Sequence, residues 1–392
     1  MVVAQPRRIR LLVIANGLGV GGTERHLLQV LPQLDRDRFD IRLLLMHRDG
    51  ALESAMAAAG IAIHGGPFRR FPLRPLFGFM HALRLLRGWK PDLVHCFLPE
   101  AYLIGGFAAW LSGIGPRLMS RRSLNDYQAK HRLAGWLERR LHGCMTVLLG
   151  NSAAVVAQLA AEGVPAGRLG LLYNGVDLPQ PSHARMAVRE RLGLRDDTLV
   201  MVKVANLIPY KGHADLIEAL ALAAPALPAD HMLLCVGDDT GHGLALRALA
   251  KAHGVADRIL WLGRMDNHRD VAALLNAADI GLLVSHEEGF SNAVLEGMAA
   301  GLAMLVTDVG GNAEAVGESG LVVPARQPAA LAAALAKLAD PPFRSTLGAA
   351  AHRRAGHLFS LPACIARYDA LYAALAAGAS TEAALQRMRE AS

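Results

Sequence analysis

Short apolar runs alternate with amphipathic segments along most of the chain. The runs at 9–15, 39–46 and 198–204 are nearly continuous, whereas apolar residues recur at helical spacing between them, as in 23–34. Continuous apolar runs of this length are typical of strands buried on both faces, and strands that alternate with helices form mostly parallel sheets. We therefore predict an α/β fold.

The alternation is interrupted once, near the middle of the chain. The segment 173–177 ends the first series, and residues 178–185 contain two prolines before the pattern restarts. We predict two doubly wound, Rossmann-like domains, the first over 1–180 and the second over 181–360. Ligands of such folds bind outside the carboxyl ends of the strands, so two facing domains would share one cleft.

Composition supports a folded protein in a reducing compartment. Of the 392 residues, 53% are hydrophobic and 19% are charged, which predicts a large core and not disorder. The four cysteines are far apart, which argues against a disulfide framework or a zinc site. Residues 1–10 lack the apolar core of a signal peptide, and the longest apolar segment, 102–114, is broken by glycines and is predicted to be a buried helix. We expect a cytoplasmic protein.

The net charge of +7 is unevenly distributed. The stretch 54–91 has no acidic residue, and its basic and aromatic residues are Arg69, Arg70, Arg74, Arg84, Arg87, Lys90, Phe68, Phe71, Phe77, Phe79 and Trp89. One interpretation is a solvated basic face over core aromatics. The other is a patch that binds an anionic lipid surface or a lipid-linked diphosphate, which would place the protein peripherally on the inner face of the membrane. No nucleic-acid motif accompanies the charge, so a nucleic-acid partner is not expected.

The stretch 285–311 carries the strongest candidate chemistry. Glu288 and Glu296 lie eight residues apart, on either side of a turn that contains Gly289, Ser291 and Asn292. Ser291 or Asn292 is a natural helix N-cap, and Gly301 a natural residue to close the helix. A helix N-terminus after a buried strand favours a bound phosphate.

A glycine-rich turn at Gly17, Gly19 and Gly22 fits the spacing G-x-G-x-x-G. A nicotinamide or flavin site would need an acidic residue after the second strand, and none is convincingly placed there. The alternatives are a loop that brings its backbone close to another ligand, with Thr23 capping the helix, or a plain tight turn.

Three other positions are candidates because they follow predicted strands. Lys211 lies just before a helix start, where it can meet a diphosphate as a point charge. Asp238 and Asp239 favour an Asx turn over a metal site, because no third ligand is near in sequence. His95 ends a strand, so it either faces the cleft or is a satisfied core histidine.

Taken together, these motifs resemble glycosyltransferase family 4, the retaining nucleotide-sugar transferases of the GT-B fold. The pair Glu288 and Glu296 matches that family's E-x7-E motif, and the surrounding residues match too. Further matches are Gly310-Gly311 with Glu314, Lys211-Gly212, Asn174-Gly175-Val176-Asp177 and Gly21-Gly22-Thr23-Glu24-Arg25.

The resemblance implies a role for each matched residue. Glu296 would hold the ribose hydroxyls of the donor, Glu288 would lie beside the transferred sugar, and Lys211 would neutralise the diphosphate. The catalytic candidates are Glu288, Lys211 and His95, and the donor-binding candidates are Glu296, Gly289, Phe290, Ser291, Asn292, Asn206, Gly237, Gly21 and Gly22.

The resemblance also implies the partners and the chain's last segments. The donor would be a UDP- or GDP-linked sugar and the acceptor a polysaccharide, a lipid-linked glycan or another cell-envelope molecule, with no metal and no other cofactor. The helix at 361–380 would cross back onto the first domain, and 381–392 would form a polar tail.

Two departures from the family pattern keep alternatives open. Asn206 stands where the family commonly has an arginine, and Phe97 replaces the second histidine of a frequent His-x-His. Arg121, Arg122 or Arg264 would then supply the missing charge. The alternatives to transfer are a non-hydrolysing nucleotide-sugar epimerase and an inactive nucleotide-sugar-binding subunit.

Overall fold

The protein consists of two compact units in the computed structural model, which describes residues 7–19, 21–48, 50–65, 73–124, 131–178, 184–265 and 267–391. Unit 1 comprises Met1–Gly175 together with Leu361–Ser392, and unit 2 comprises Val176–Ser360. The chain passes from unit 1 to unit 2 between Gly175 and Val176, close to the boundary predicted at 180. The last segment of the chain belongs to unit 1.

Unit 1 contains a seven-stranded parallel sheet. Its strands, in chain order, are β1 Ile9–Ala15, β2 Phe39–Leu45, β3 Ala62–His64, β4 Leu93–Phe97, β5 Arg117–Arg121, β6 Val147–Gly150 and β7 Leu169–Leu171. They are arranged in the order β3-β2-β1-β4-β5-β6-β7, and every pair is parallel. The order reverses beside β1, which is the Rossmann-like arrangement that the alternating pattern predicted.

Helices cover both faces of this sheet. They are α1 Gly22–Val30, α2 Glu53–Ala58, α3 Arg74–Trp89, α4 Pro99–Ala101, α5 Phe107–Leu111, α6 Arg132–His142, α7 Ala153–Ala161 and, from the end of the chain, α16 Leu361–Ala376 and α17 Thr381–Glu390. A π-helical turn at Tyr102–Gly106 joins α4 to α5. Two clusters of buried apolar side chains, one on each face of the sheet, form the core.

Unit 2 repeats the same plan with six parallel strands. The strands are β8 Leu199–Val204, β9 His231–Val236, β10 Ile259–Gly263, β11 Ile280–Leu283, β12 Ala303–Thr307 and β13 Gly320–Val323, in the order β10-β9-β8-β11-β12-β13. The helices are α8 Ala184–Arg191, α9 His213–Ala223, α10 Gly243–Ala252, α11 His268–Ala277, α12 Asn292–Ala299, α13 Asn312–Val316, α14 Pro328–Leu338 and α15 Pro341–Leu358. Here the order reverses between β8 and β11, so a ligand site is expected at their carboxyl ends.

The segment 102–114 is not the fully buried helix that its apolar sequence predicted. Its glycines pack against the sheet, because a Cβ on Gly105 would lie within 2.7 Å of the side chain of Ile14. The opposite face is open, and Phe107, Trp110 and Leu111 are exposed. Among the described residues, no helix is long and apolar enough to cross a membrane.

The polar tail predicted at 381–392 is a helix instead. Ser380 caps α17, since its hydroxyl accepts a hydrogen bond from the backbone N–H of Ala383 at 3.3 Å. Ala384, Leu385 and Met388 share one face of α17 and are buried. The apolar face of α17 consists of only these three residues, so it is easily overlooked in a segment rich in charged residues.

We expect Leu385→Ala to destabilise the protein by about 2–4 kcal/mol, because it leaves a cavity in the core of unit 1. Leu385 packs beside Gly170 of β7 and is 2% exposed. Thermal or urea unfolding of the variant measures the effect. Arg389→Ala, on the exposed face of the same helix, is the matched control and should change stability by less than about 0.5 kcal/mol. Equal effects of the two changes would show that α17 is not part of the core.

Candidate functional site

The predicted strand, turn and helix of the stretch 285–311 form as expected at the carboxyl end of β11. Ser291 is the N-cap residue of α12, although its side chain makes no capping hydrogen bond. Gly301 follows the helix with φ of +77°, which favours glycine and ends the helix. The N-terminal turn of α12 therefore faces the space beyond the strand ends, where its dipole favours an anion.

An ion pair joins the two strongest charged candidates. Lys211 Nζ lies 2.6 Å from Glu288 Oε1, and both side chains are largely buried. The hydroxyl of Ser285 donates a second hydrogen bond to the same carboxylate oxygen, at 2.8 Å. Lys211 lies 77 residues before Glu288, so only the adjacency of β8 and β11 brings them together.

Glycines at two positions permit the close backbone approach that forms this pair. Gly212 has φ of +70°, and a Cβ there would collide with the carbonyl oxygen of Val284. Gly310 has φ of +56°, and a Cβ there would collide with the carbonyl oxygen of Glu288. The next residue, Gly311, donates its backbone N–H to the carbonyl oxygen of Gly289 at 2.6 Å. The loops after β8 and β12 thus fix the backbone that carries Glu288.

A second polar pair lies beside the first. His286 Nε2 is 2.8 Å from Asp215 Oδ2, which belongs to the first turn of α9. The backbone N–H of His286 also bonds to the carbonyl oxygen of Tyr210 at 2.7 Å. No role was predicted for His286, and the structure places it as a link between the loop after β11 and the start of α9.

Lys203 is a site residue that the sequence analysis missed. It belongs to β8, is completely buried, and its Nζ has no hydrogen-bond partner among the described residues. Burial and repulsion from Lys211 lower the pKa of Lys203 from its ordinary 10.5 to about 7, against the opposing attraction of Cys235, Glu288 and Asp215. The sequence feature that could have identified Lys203 is that it is the one charged residue in the apolar run 198–204.

The other donor-binding candidates of unit 2 lie around the same strand ends. Asn206 is exposed after β8, and its side-chain oxygen accepts the backbone N–H of Asp238 at 3.1 Å. Gly237 follows β9, where a Cβ would collide with the carbonyl oxygen of Ala205. Asp239 accepts the backbone N–H groups of Gly241 and Gly243, so the Asx turn is confirmed.

Glu296 and Phe290 occupy different environments on α12 and its preceding loop. Glu296 lies one turn into the helix and is partly exposed. Phe290 is buried, with its ring 5.6 Å from that of Phe359 at an angle of 64°. The Phe290 side chain therefore anchors the loop, and only its backbone remains a candidate for ligand contact.

His95 belongs to the core of unit 1, as one of its two interpretations expected, and its assignment as a catalytic candidate stays a prediction. It is 0% exposed, and its ring nitrogens lie 2.7 Å from the Tyr372 hydroxyl and 2.8 Å from that of Ser120. Burial, with a smaller contribution from Arg122, lowers the pKa of His95 to about 3, so the ring is neutral. The helix α16, which carries Tyr372, covers the end of β4.

The glycine-rich turn after β1 is also in unit 1. Gly21 is the N-cap residue of α1 and Gly22 its first residue, so Thr23 lies inside the helix and does not cap it as predicted. Arg121 is not available as the missing positive charge, because it pairs with Glu138 and Glu162 at 2.7 Å each. Those two carboxylates already neutralise a guanidinium that is 5% exposed.

No group of three or more histidine, cysteine, aspartate or glutamate side chains is arranged to hold a metal ion in the described part of the chain. Lys211, Lys203 and the start of α12 contribute positive charge at the site. This set of groups suits a phosphate-containing ligand.

Two family models match the chain, one in each half. Residues 20–180 match the model described as Glycosyltransferase Family 4, and residues 198–340 match the model described as Glycosyl transferases group 1. The chain belongs to these glycosyltransferases. The resemblance drawn from Glu288, Glu296 and Lys211 is thereby confirmed at the level of the family.

Curated relatives of this glycosyltransferase align over most of its length. The D-inositol 3-phosphate glycosyltransferase 2 of Catenulispora acidiphila is 28% identical over 385 residues, covering 86% of this chain and 88% of that protein. The D-inositol 3-phosphate glycosyltransferase of Geodermatophilus obscurus is 36% identical over 250 residues, covering 60% of this chain and 54% of that protein.

Solved structures share the fold of the glycosyltransferase. HepE of Anabaena in complex with UDP superposes with a TM-score of 0.80 at 21% identity, covering 91% of this chain and 97% of that one. Sucrose-phosphate synthase of Thermosynechococcus elongatus superposes with a TM-score of 0.76 at 21% identity, covering 95% and 100%. The predicted GT-B fold is confirmed.

We expect Lys203→Met to raise the melting temperature by about 2 °C or more at about pH 6, because methionine fills the site without a buried charge. The folded chain loses the Lys203 proton above about pH 7, whereas an unfolded lysine keeps its proton up to 10.5. Between these values the unfolded state binds more protons, so the stability of the parent rises with pH. The advantage of the variant should therefore shrink towards about pH 10.

Differential scanning calorimetry at several pH values measures this difference. Lys251→Met, at an exposed position of α10, is the matched control and should show no such trend. A stability difference of the same size at every pH would contradict the titration of Lys203.

Proposed function

We propose that the protein is a retaining hexosyltransferase that moves a sugar from a nucleotide donor to a cell-envelope or polysaccharide acceptor. The observation that carries the proposal is the buried pair of Lys211 and Glu288, positioned at the N-terminal end of α12. Membership of the glycosyltransferase family supports it. Loss of a diphosphate needs positive charge beside the leaving group, and Lys211 and the start of α12 are the groups that we propose supply it.

The charge balance of the pair explains how a donor would bind. Glu288 neutralises Lys211 in the structure. A donor diphosphate brings further negative charge, which Lys211 would share with Glu288 and which the dipole of α12 would offset. Lys203 lies beneath the same groups and can bind a proton when negative charge is added.

The proposed reaction needs no residue that forms a covalent bond. The bond between the anomeric carbon and the diphosphate oxygen breaks, and a bond to the acceptor oxygen forms on the same face. The leaving diphosphate takes the acceptor proton, while Lys211 and the start of α12 stabilise its charge. Glu288 would lie beside the sugar and orient its hydroxyls.

UDP-linked glucose is the donor to test first. HepE of Anabaena, which shares the fold, has been solved with UDP and with UDP-glucose. Glu296, one turn into α12, is proposed to accept hydrogen bonds from the ribose hydroxyls. The names of the curated relatives add D-inositol 3-phosphate to the acceptor panel, beside lipid-linked and polysaccharide acceptors.

We expect Glu296→Gln to weaken UDP binding about tenfold or more, because hydrogen bonds to a charged carboxylate are stronger than those to an amide. Calorimetric titration with UDP measures the change. Glu287→Gln removes an exposed carboxylate nine residues earlier and should leave the affinity unchanged within about twofold. Equal weakening by both variants would mean that net charge, and not a ribose contact, sets the affinity.

Transfer itself is tested with a panel of nucleotide sugars and acceptors, and NMR of the anomeric proton of the product reports retention or inversion. An inverted product would refute the retaining assignment. Release of a converted donor without acceptor would favour an epimerase, and donor binding without turnover on the whole panel would favour an inactive binding subunit.

We also propose that one face of unit 1 attaches the enzyme to an anionic membrane surface from the cytoplasmic side. Large apolar side chains are exposed on three neighbouring helices, α3, α5 and α6; the most prominent are Leu76, Phe77, Met80, Phe107, Trp110, Leu133, Trp136 and Leu137. Phe68, Arg69, Arg70 and Phe71, which first suggested this face, lie outside the described residues.

The charge of this face fits anionic lipid. Arg84 and Arg87 on α3 and Arg139 and Arg140 on α6 are exposed. The carboxylate of α6, Glu138, is buried against Arg121. Exposed tryptophans beside arginines are typical of surfaces that lie at the lipid headgroup level.

We expect the double variant Trp110→Ser, Trp136→Ser to bind vesicles of phosphatidylcholine and phosphatidylglycerol about tenfold or more weakly, because each indole loses apolar burial. Co-sedimentation measures the binding. Leu244→Ser alters a side chain of unit 2 that is 84% exposed and should bind like the parent. Equal binding of the parent to pure phosphatidylcholine would exclude an electrostatic role. A concentration-dependent dimer that only the double variant loses would assign the face to a second copy.

A further inference from the structure

A basic cavity at the edge of the unit 1 sheet has no place in the proposed transfer reaction. It has a volume of about 330 Å³ and lies between β2, β3 and α3. Arg42, His64, His81 and Arg84 line it, and Trp89 closes one side. Its size falls within the range of small-ligand sites in proteins.

The described side chains that line the cavity concentrate positive charge, and no carboxylate is among them. Neither Arg42 nor Arg84 has an ion-pair partner within the described ranges, and none of the side chains that line the cavity is acidic. The Arg42 guanidinium instead stacks on the indole of Trp89, 4.3 Å from the ring centroid. Stacking holds the guanidinium in place and leaves its N–H groups directed outwards from the ring.

The two histidines respond to this concentration of charge. Burial first, and then repulsion from Arg42, His81 and Arg48, lowers the pKa of His64. Burial first, and then repulsion from Arg84, lowers the pKa of His81. Arg48 already has its own carboxylate partner, Glu53, so the uncompensated charges are those of Arg42 and Arg84.

One polar atom of the cluster is left without a partner. His64 Nε2 is buried and makes no hydrogen bond to any described residue. A buried ring nitrogen without a partner costs free energy unless a ligand or water supplies the missing bond. His64 sits at the end of β3, which is the edge strand of the sheet that the described residues form.

We propose that this cavity binds an oxyanion of the phosphate or sulfate type, held by Arg42, Arg84 and the protonated forms of His64 and His81. An oxyanion accepts several hydrogen bonds at once and cancels the repulsion among the four cations. Binding favours protonation of the two imidazoles, so the affinity rises as the pH falls through their titration range. None of the residues that line this cavity is a catalytic or donor-binding candidate.

Two sources of such an anion are compatible with the position of the cavity. Arg84 also belongs to the exposed face of α3, so a lipid headgroup phosphate can approach it. A soluble phosphate ester can approach it as well. The chemistry of recognition is the same for both, and the experiment distinguishes them.

NMR titration of the histidine side chains, labelled with ¹³C, tests the proposal locally. Inorganic sulfate is the probe, because it stays a dianion from about pH 5.5 to about pH 8, whereas inorganic phosphate changes its charge in that range. His64→Gln and His81→Gln identify the two resonances among the 16 histidines. We expect saturating sulfate to raise the pKa of both imidazoles by about 0.5 or more, relative to chloride of equal ionic strength.

Paired arginine variants supply the control. Arg84→Gln should weaken sulfate binding about threefold or more. It should also raise the sulfate-free pKa of His81, because the repelling charge is gone. Arg87→Gln, on the same helix but outside the cavity, should change the affinity by less than about twofold. If sulfate leaves both imidazoles unaffected, or if Arg87→Gln acts like Arg84→Gln, the proposal is overturned.

A second experiment, which measures binding to vesicles of phosphatidylcholine and phosphatidic acid, identifies the source of the anion. Weaker binding of Arg84→Gln and His81→Gln to these vesicles identifies a lipid headgroup as the ligand. Unchanged vesicle binding, together with weakened sulfate binding, identifies a soluble anion. Neither experiment uses a nucleotide sugar, so failure of the transfer proposal would not alter these outcomes.

Discussion

The ion pair between Lys211 and Glu288 is the interaction on which the arrangement of the donor site depends. Its two members come from loops after β8 and β11, and both are largely withdrawn from water. Breaking such a pair by removing one partner leaves a buried charge without compensation, which is costly. The glycines at 212 and 310 are needed because the loops must approach within backbone contact before the side chains can meet.

The pair also explains why the site contains charges of both signs beside a helix N-terminus. The carboxylates of Glu288 and Asp215 offset part of the repulsion between Lys203 and Lys211. Glu288 would in turn be isolated without Ser285 and Lys211. Glu288 and Asp215 thus offset part of the charge of the two lysines, and a donor diphosphate would alter that balance.

Much of the fold was predictable because it rests on local patterns. The buried parallel strands, the helix from Ser291 and its end at Gly301 follow from short apolar runs, capping residues and a left-handed glycine. The pairing of Lys211 with Glu288 was not predictable from spacing, since it depends on strand order. The environment of His95 could not be decided from the sequence, because the residue that covers it, Tyr372, comes 277 residues later. Lys203 was overlooked because a single lysine hardly changes the apolar character of β8.

The return of α16 to unit 1 also bears on the order in which the chain can fold. Unit 2 is one continuous segment, whereas unit 1 needs Leu361–Ser392 to complete its core. During synthesis His95 and His26 therefore lack the hydroxyls of Tyr372 and Tyr368, to which they bond at 2.7 and 3.1 Å, until the last helices leave the ribosome. Unit 2 can finish first, although N-terminal domains generally fold first during synthesis. Unit 1, although it contains Met1–Gly175, is therefore completed only after unit 2.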